Sequence, residues 1–152
     1  MKAKGCAATP PVGSGCGAEL TTAGERDAAG VLGEVAWLMS RSAPHRHVFM
    51  ADLDWLVLPP LYLGQARVLR GAEGSPLAYV SWALASDAVE ARLKARIGRL
   101  QPTDWRSGPH PWIIDVIAPF GGADKAVAEV VGAVFGGRDV PVLGRVVNGG
   151  GE

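Results

Sequence analysis

The chain has 152 residues, of which 48% are hydrophobic and 20% are charged. This length fits one domain, and the composition is typical of a folded globular protein rather than of a disordered one. The 15 basic and 15 acidic side chains cancel, so the chain lacks the net positive charge by which most nucleic-acid-binding proteins attract their ligand. We therefore exclude nucleic acid as the partner.

The first 22 residues are rich in Gly, Pro and Ala and show no hydrophobic periodicity. This predicts a flexible leader over residues 1–22 and a folded domain over residues 23–152. No apolar run approaches the roughly 20 residues of a membrane span, and two prolines interrupt the region that a secretion signal would occupy. The sequence thus predicts a cytoplasmic protein. Cys6 and Cys16 lie in the leader without zinc-site spacing, and we expect no structural disulfide or metal there.

Helical periodicity begins after the leader. Apolar residues recur with the spacing of one helix face over residues 25–39, which predicts a helix there. Residues 48–58 are apolar with two aspartates inset and favour a short helix. We expect Pro59 and Pro60 to end it.

Two strands are predicted next. Residues 61–69 and 77–84 are rich in Val, Leu, Tyr and Trp, and the segment between them, residues 71–75, contains the glycines of a hairpin turn. The pattern indicates two neighbouring antiparallel strands.

The remaining elements alternate in type: a helix over residues 87–99, a buried strand over 112–118, a helix over 123–135 and a last strand over 140–147. The inward face of the first of these helices is predicted to consist of Val89, Leu93 and Ile97. This order of elements predicts an α/β (mixed α+β) domain with a central mixed sheet.

A few imidazole and carboxylate groups offer chemistry. His45 follows the first predicted helix in a polar loop, and imidazole can both take and return a proton near neutral pH. Asp115 lies within the apolar run 112–118, where a carboxylate is unfavourable unless it is paired or functional. We interpret His47 and His110 as loop residues. From the residues alone, His45 and Asp115 fit a functional or a structural role equally well.

A metal site is an alternative for the same region. His45, His47, Asp52 and Asp54 carry nitrogen and oxygen ligands suited to zinc or iron. Nothing in the sequence places the aspartates on the same side as the histidines, so we expect no metal at this site.

Several blocks of sequence resemble the RTX toxin-activating lysine acyltransferases, in the family's order and with similar spacing. They cover residues 32 to 121, and the blocks are LGEVAWLMS (32–40), SAPHR (42–46), LPP (58–60), Gln65, PLAYVSWA (76–83), DWRSG (104–108) and WIIDVIAPFG (112–121). The family usually has Ser-Pro-x-His-Arg in the second block, whereas here Pro44 directly precedes His45.

The resemblance implies that His45 and Asp115 are the catalytic residues and that the fold is similar to the Gcn5-like acetyltransferases. It also implies transfer of a fatty acyl group from acyl carrier protein to internal lysines of a protoxin, with no bound cofactor beyond the acyl donor. A homodimer is compatible with it. His45 is then either a general base or a nucleophile that carries the acyl group, with Asp115 orienting the imidazole.

Substrate contacts are expected at Arg46, Ser107 and Gly108. Backbone N–H groups near Ser107 and Gly108, or near residues 121–122, are the candidates for an oxyanion site. Because acyl carrier proteins are generally acidic, a basic surface is expected to bind the donor. That surface is predicted to comprise Arg46 together with Arg92, Lys94, Arg96 and Arg99.

Two other function classes remain open, a coenzyme A-dependent N-acetyltransferase and a non-catalytic binding module. Coenzyme A pyrophosphate is usually bound by a basic, Gly-rich turn at a helix N-terminus. Here the corresponding turn, Gly121-Gly122-Ala123-Asp124, carries an acid instead, which favours a carrier-protein donor.

Overall fold

A three-stranded sheet is the centre of the molecule. The computed structural model describes residues 27–143, and the predicted leader lies outside the described residues. The sheet has the order β1-β2-β3, and both ladders are antiparallel. Its strands are β1 (Ala66–Arg70), β2 (Pro76–Ala85) and β3 (His110–Ile117). The mixed α/β class is confirmed, but the prediction of a mixed sheet is wrong for these strands.

Helices cover both faces of the sheet. Helix α5 (Ala123–Phe135) packs on one face. The opposite face carries α1 (Ala28–Arg41), α2 (Leu53–Leu56), α3 (Leu58–Tyr62) and α4 (Asp87–Ala95). Within residues 27–143, no helix is both long enough and apolar enough to cross a membrane.

The two faces of β2 belong to different cores because side chains alternate along a strand. Val80 and Trp82 face α5, where the Trp82 ring meets Phe135 edge-on at 6.1 Å between centroids. Tyr79 packs with Leu38 of α1 on the opposite face. Further along that second face, Ala83 packs with α4. β2 is therefore buried on both sides, and the loops after α1 and α4 meet on its second face.

The two prolines begin a helix rather than ending one. Pro59 and Pro60 occupy the first turn of α3, where a missing N–H is tolerated because no helical bond would use it. Leu61 is consequently helical and β1 begins only at Ala66. The prediction of a strand from residue 61 is wrong for this reason.

Helix α4 is shorter than predicted. It ends at Ala95, and Arg96 follows in a left-handed conformation. Val89 and Leu93 are buried as expected, but Ile97 lies beyond the helix and is 65% exposed. Ile97 therefore does not continue the inward face of α4.

The chain returns to the edge of β3 after α5. The N–H of Ile113 donates to the Pro141 carbonyl (2.9 Å), and the N–H of Leu143 donates to the Ile113 carbonyl (2.8 Å). This contact is an isolated parallel bridge between Ile113 and Val142, so the predicted last strand is a bridge only. Residues 144–147 lie outside the described residues.

Candidate active site

The loop after α1 folds around one carbonyl group. Ser42 follows α1, and its carbonyl accepts hydrogen bonds from the N–H groups of His45 (3.1 Å) and Arg46 (2.9 Å). The N–H of Val48 donates in turn to the His45 carbonyl (3.0 Å). These bonds form a compact turn, which holds the His45 side chain in a partly buried position.

A β-bulge directs Asp115 towards this loop. Ser81 pairs with Asp115 and Trp82 pairs with Ile113, so Ile114 has no partner in β2. The extra residue puts Ile114 and Asp115 on the same face of the sheet, although neighbours in a regular strand point to opposite faces. Ile114 enters the core beside α4, and Asp115 meets the loop that follows α1.

His45 and Asp115 are in direct contact. Nε2 of His45 lies 2.9 Å from Oδ1 of Asp115, and each side chain is only 10% exposed. The same carboxylate oxygen accepts the N–H of Val116 at 2.9 Å. Because a carboxylate only accepts hydrogen bonds, Nε2 carries the hydrogen, and in the neutral imidazole Nδ1 then has the lone pair. The arrangement can orient an imidazole whose Nδ1 takes a proton or attacks a carbonyl.

Ser42 completes a three-residue arrangement that the sequence analysis did not identify. Its Oγ lies 2.7 Å from Nδ1 of His45, and Ser42 is 6% exposed. With the hydrogen on Nε2, the Ser42 hydroxyl donates to Nδ1. The only signal in the sequence is the three-residue spacing between Ser42 and His45 in a loop containing Pro44, a pattern also found in ordinary turns.

Polar atoms are buried beneath the pair. The Tyr79 hydroxyl, the Ser81 hydroxyl and Oδ2 of Asp115 are all shielded from solvent; the two hydroxyls lie near each other, and Oδ2 has no hydrogen-bond partner in the described part of the chain. Burial raises the pKa of Tyr79 far above its usual value, and the negative charge of Asp115 raises the pKa further. Tyr79 therefore keeps its proton and presents a neutral hydroxyl below the site.

An apolar pocket of about 480 Å³ opens beside the pair. His45 and Asp115 line it, and its remaining walls come from the loop after α1, from α2, from α4 with its following loop, from β3 and from the segment after α5. The apolar lining consists of Pro44, Val48, Trp55, Leu56, Leu93, Ile97, Leu100, Ile114 and Leu143. A pocket of this size and character suits the apolar part of a small-molecule ligand.

Two arginines, Arg92 and Arg99, lie along one side of the pocket. Arg92 bonds to Asp104 (3.1 Å) and to the Arg99 carbonyl (2.9 Å). Arg99 lies over the Trp55 ring at 4.9 Å and pairs with Asp52 at 3.3 Å. These contacts fix the side of the pocket formed by α2 and the loop after α4.

Residues 25–150 match the family model of the RTX toxin acyltransferase family. The chain belongs to this family. The resemblance seen in the sequence blocks is thereby confirmed.

Curated relatives agree with this assignment. The lysine-acyltransferase RtxC of Vibrio cholerae is 31% identical over 105 residues, which are 69% of either chain. The leukotoxin-activating lysine-acyltransferase LtxC of Aggregatibacter actinomycetemcomitans is 41% identical over 91 residues, 60% of this chain and 54% of the relative. The protein-lysine myristoyltransferase HlyC of Escherichia coli is 38% identical over 91 residues, 60% of this chain and 53% of the relative. The matches to the last two thus span about half the length of these relatives.

In this member of the RTX toxin acyltransferase family, Ser107 and Gly108 contact the end of β2 and are not among the residues that line the pocket. Both of their N–H groups donate to the Leu84 carbonyl, at 2.8 and 3.1 Å. A Cβ at Gly108 would lie 2.5 Å from the Cα of Ser86. These backbone groups are engaged in closing the loop onto β2, and a role of Ser107 and Gly108 in binding substrate stays a prediction. The N–H of Gly121 is likewise bonded, to the Ala118 carbonyl at 3.1 Å.

The other histidines have separate environments. Arg46 is exposed, its Nε donates to Nε2 of His47 at 3.3 Å, and it is not among the residues that line the pocket. His47 is an exposed loop residue as predicted. His110 is not a loop residue: it begins β3, and its Nε2 lies 2.6 Å from Oδ1 of Asp87.

The alternative metal site finds no support in the geometry. His45 is bonded to Asp115, while Asp52 accepts the indole N–H of Trp55 at 2.9 Å. Between residues 27 and 143, no group of three or more His, Cys, Asp or Glu side chains is arranged to hold a metal ion.

Proposed function

We propose that this chain transfers a fatty acyl group from the thioester of an acyl carrier protein to lysine side chains of an RTX protoxin. One observation carries the proposal: the His45–Asp115 pair lies at the wall of an apolar pocket. A carboxylate-oriented imidazole supplies a base, and the pocket supplies an environment for an alkyl chain. The relatives named as toxin-activating lysine acyltransferases give the acceptor class.

The amine needs a base because a lysine side chain has a pKa of about 10.4 and is almost fully protonated at neutral pH. His45 is oriented by Asp115 at Nε2, so Nδ1 is the nitrogen that accepts the proton. Since the Ser42 hydroxyl donates to Nδ1, Ser42 is placed to relay the proton from the amine to the imidazole.

Acyl transfer then proceeds at an already activated carbonyl. The neutral lysine nitrogen bonds to the carbonyl carbon and passes a proton to His45, the carbon–sulfur bond breaks, and the departing thiolate takes that proton; the proton that the ammonium lost beforehand goes to solvent. In the covalent alternative, Nδ1 first bonds to the thioester carbon while the carbon–sulfur bond breaks and the thiolate departs. The amine then bonds to the acyl carbon, the carbon–Nδ1 bond breaks, and the amine's proton passes to the thiolate. Both routes place the acyl chain in the apolar pocket, where each buried methylene contributes about 0.8 kcal/mol.

The test is a reconstituted transfer reaction. The purified chain is mixed with an RTX protoxin and either myristoyl-acyl carrier protein or myristoyl-coenzyme A, and lysine acylation is measured by mass spectrometry. We expect acylated lysines with the carrier-protein donor and none when His45→Ala replaces the wild-type chain. Transfer from coenzyme A alone would establish the acetyltransferase-type alternative. Normal folding without transfer from either donor would indicate a binding module.

A further inference from the structure

Arg96 has a backbone conformation that arginine rarely adopts. Its φ is 54° and its ψ is 39°, and within residues 27–143 no other non-glycine residue has a positive φ. The N–H of Arg96 donates to the Leu93 carbonyl (3.1 Å), and that of Ile97 donates to the Arg92 carbonyl (3.0 Å). This is the helix ending in which glycine is usual at the left-handed position. Arginine is strained there, so the turn itself does not explain its presence.

The charge of Arg96 is also unmatched. The three neighbouring basic residues each have a carboxylate partner: Lys94 with Glu90 at 3.3 Å, Arg92 with Asp104 at 3.1 Å and Arg99 with Asp52 at 3.3 Å. Across the part of the chain that the structure describes, Arg96 makes no ion pair and no side-chain hydrogen bond. Of the four basic residues between Arg92 and Arg99, three are thus paired cations, and Arg96 remains open to a ligand.

Arg96 lines the same pocket as His45 and Asp115. It is exposed, as are its neighbours Ile97 and Gly98, whereas Leu93 and Leu100 are buried. Arg96 therefore stands at the solvent side of the pocket, above buried apolar walls. A guanidinium in this position presents several N–H donors to an anion, and its geometry matches a phosphate group.

We infer that Arg96 binds the phosphate of the phosphopantetheine arm that carries the acyl thioester. The inference rests on the proposed function, since it assumes a thioester donor of this type. The arm's phosphate fits better than a carboxylate on the carrier's surface. Arg96 lines the same pocket as His45 and Asp115, so an arm that carries a thioester to His45 passes beside its guanidinium. The phosphate would then anchor the arm at the mouth while the thioester lies against His45.

Two synthetic donors test the inference directly. Myristoyl-phosphopantetheine and myristoyl-pantetheine differ only in the phosphate, and equilibrium binding of each is measured without an acceptor. The wild-type chain should bind the phosphorylated compound about tenfold more tightly, as expected for a charge-assisted contact. Arg96→Gly should bind the two compounds equally. Lys94→Ala, which removes a paired cation from the same helix, should keep the wild-type preference.

The glycine variant also separates binding from folding. Because glycine adopts the left-handed conformation without strain, Arg96→Gly should melt about 2–4 °C higher than the wild type. If Arg96 were present because it stabilises the fold, Arg96→Gly would instead melt at a lower temperature than the wild type. Arg96→Lys should keep part of the preference through its charge alone.

The inference is overturned if the wild type does not distinguish the two compounds, or if Arg96→Gly distinguishes them as well as the wild type does. The proposed function fails on a different measurement, the absence of lysine acylation by the wild type. A phosphate preference lost in Arg96→Gly would stand even in that case.

Discussion

Oδ1 of Asp115 lies 2.9 Å from Nε2 of His45, although 70 residues separate the two along the chain. The turn formed by the Ser42 carbonyl brings His45 to the sheet, and the bulge at Ile114 brings Asp115 to the same side. The contact therefore depends on two local features of the backbone, the turn at Ser42 and the bulge at Ile114.

The first prediction concerns this pair as a unit. His45→Ala should lower the rate of acyl transfer by about 10²–10⁴-fold. Asp115→Asn should remove most of the activity because the side chain at position 115 then no longer fixes the orientation of the imidazole. The double variant should be little worse than His45→Ala, since residues that act together are non-additive. Rates are measured with the carrier-protein donor, alongside thermal melts. His47→Ala is the control and should retain activity; an active, folded His45→Ala protein would refute the mechanism.

Ser42→Ala tests the proton relay. The change removes the hydroxyl that lies 2.7 Å from Nδ1 of His45. We expect kcat to fall by about tenfold or more while donor binding is unchanged, because the hydroxyl acts on the proton and not on the acyl chain. Single-turnover rates and donor affinity separate the two effects. Unchanged kcat in a well-folded Ser42→Ala protein would show that the amine reaches Nδ1 directly.

Gly108→Ala should act on stability and not on catalysis. The added Cβ would lie 2.5 Å from the Cα of Ser86 and 2.7 Å from the Ala85 carbonyl oxygen, so the end of β2 must shift. We expect a loss of about 1–3 kcal/mol in the free energy of unfolding, measured in urea, with activity per folded molecule preserved. Gly33→Ala is the matched control: nothing lies within 4 Å of its added Cβ, and a glycine within α1 should gain up to about 1 kcal/mol.

Val48→Phe should change the preferred chain length. Val48 is a partly exposed wall of the pocket, so the larger ring fills space without disrupting a buried core. Each methylene that no longer fits loses about 0.8 kcal/mol, which is roughly fourfold in kcat/KM. Competition between short and long acyl donors should therefore shift towards the short ones. Val134→Phe, on α5 at the opposite face of the sheet, should leave the ratio unaltered.

Tyr79 should make stability fall at alkaline pH. Burial holds the pKa of Tyr79 above its unfolded value, which is about 10, so the folded state keeps a proton that the unfolded state releases. The stabilisation is complete below about pH 10 and decreases as the pH rises above it. Urea unfolding between pH 9 and 11, on the order of one unit either side of that value, should show a steeper decline for the wild type than for Tyr79→Phe. Equal slopes would contradict the burial of an un-ionised hydroxyl.

Hydrophobic periodicity is sufficient to predict the two long helices, α1 and α5. The predicted helix over residues 25–39 corresponds to α1, and residues 123–135 are helical as predicted, because one apolar face of each packs on the sheet. The pairing of β1 with β2 also follows from the glycine-containing turn. The likeness to Gcn5-like acetyltransferases stays a prediction.

Local backbone geometry explains the errors. The sequence predicts that Pro60 ends a helix, but its position in the first turn of α3 makes it compatible with one. Arg96 ends α4 in a left-handed conformation that a sequence pattern predicts only at glycine. Ile97 therefore lies outside the core. The family resemblance predicts His45 and Asp115 as site residues, whereas Ser42 and the pocket depend on the loop and the bulge, which the sequence pattern does not reveal.

The segment after α5 has a practical consequence for shortening the chain. Pro141 and Leu143 occupy the hydrogen-bonding edge of β3 at Ile113, and Val140 is buried with α5. A protein truncated before Val140 would leave that strand edge open, and open strand edges recruit other chains into aggregates. A protein truncated between residues 136 and 139 should be insoluble when it is expressed. A protein truncated beyond Leu143 should keep the sheet and the strand that carries Asp115.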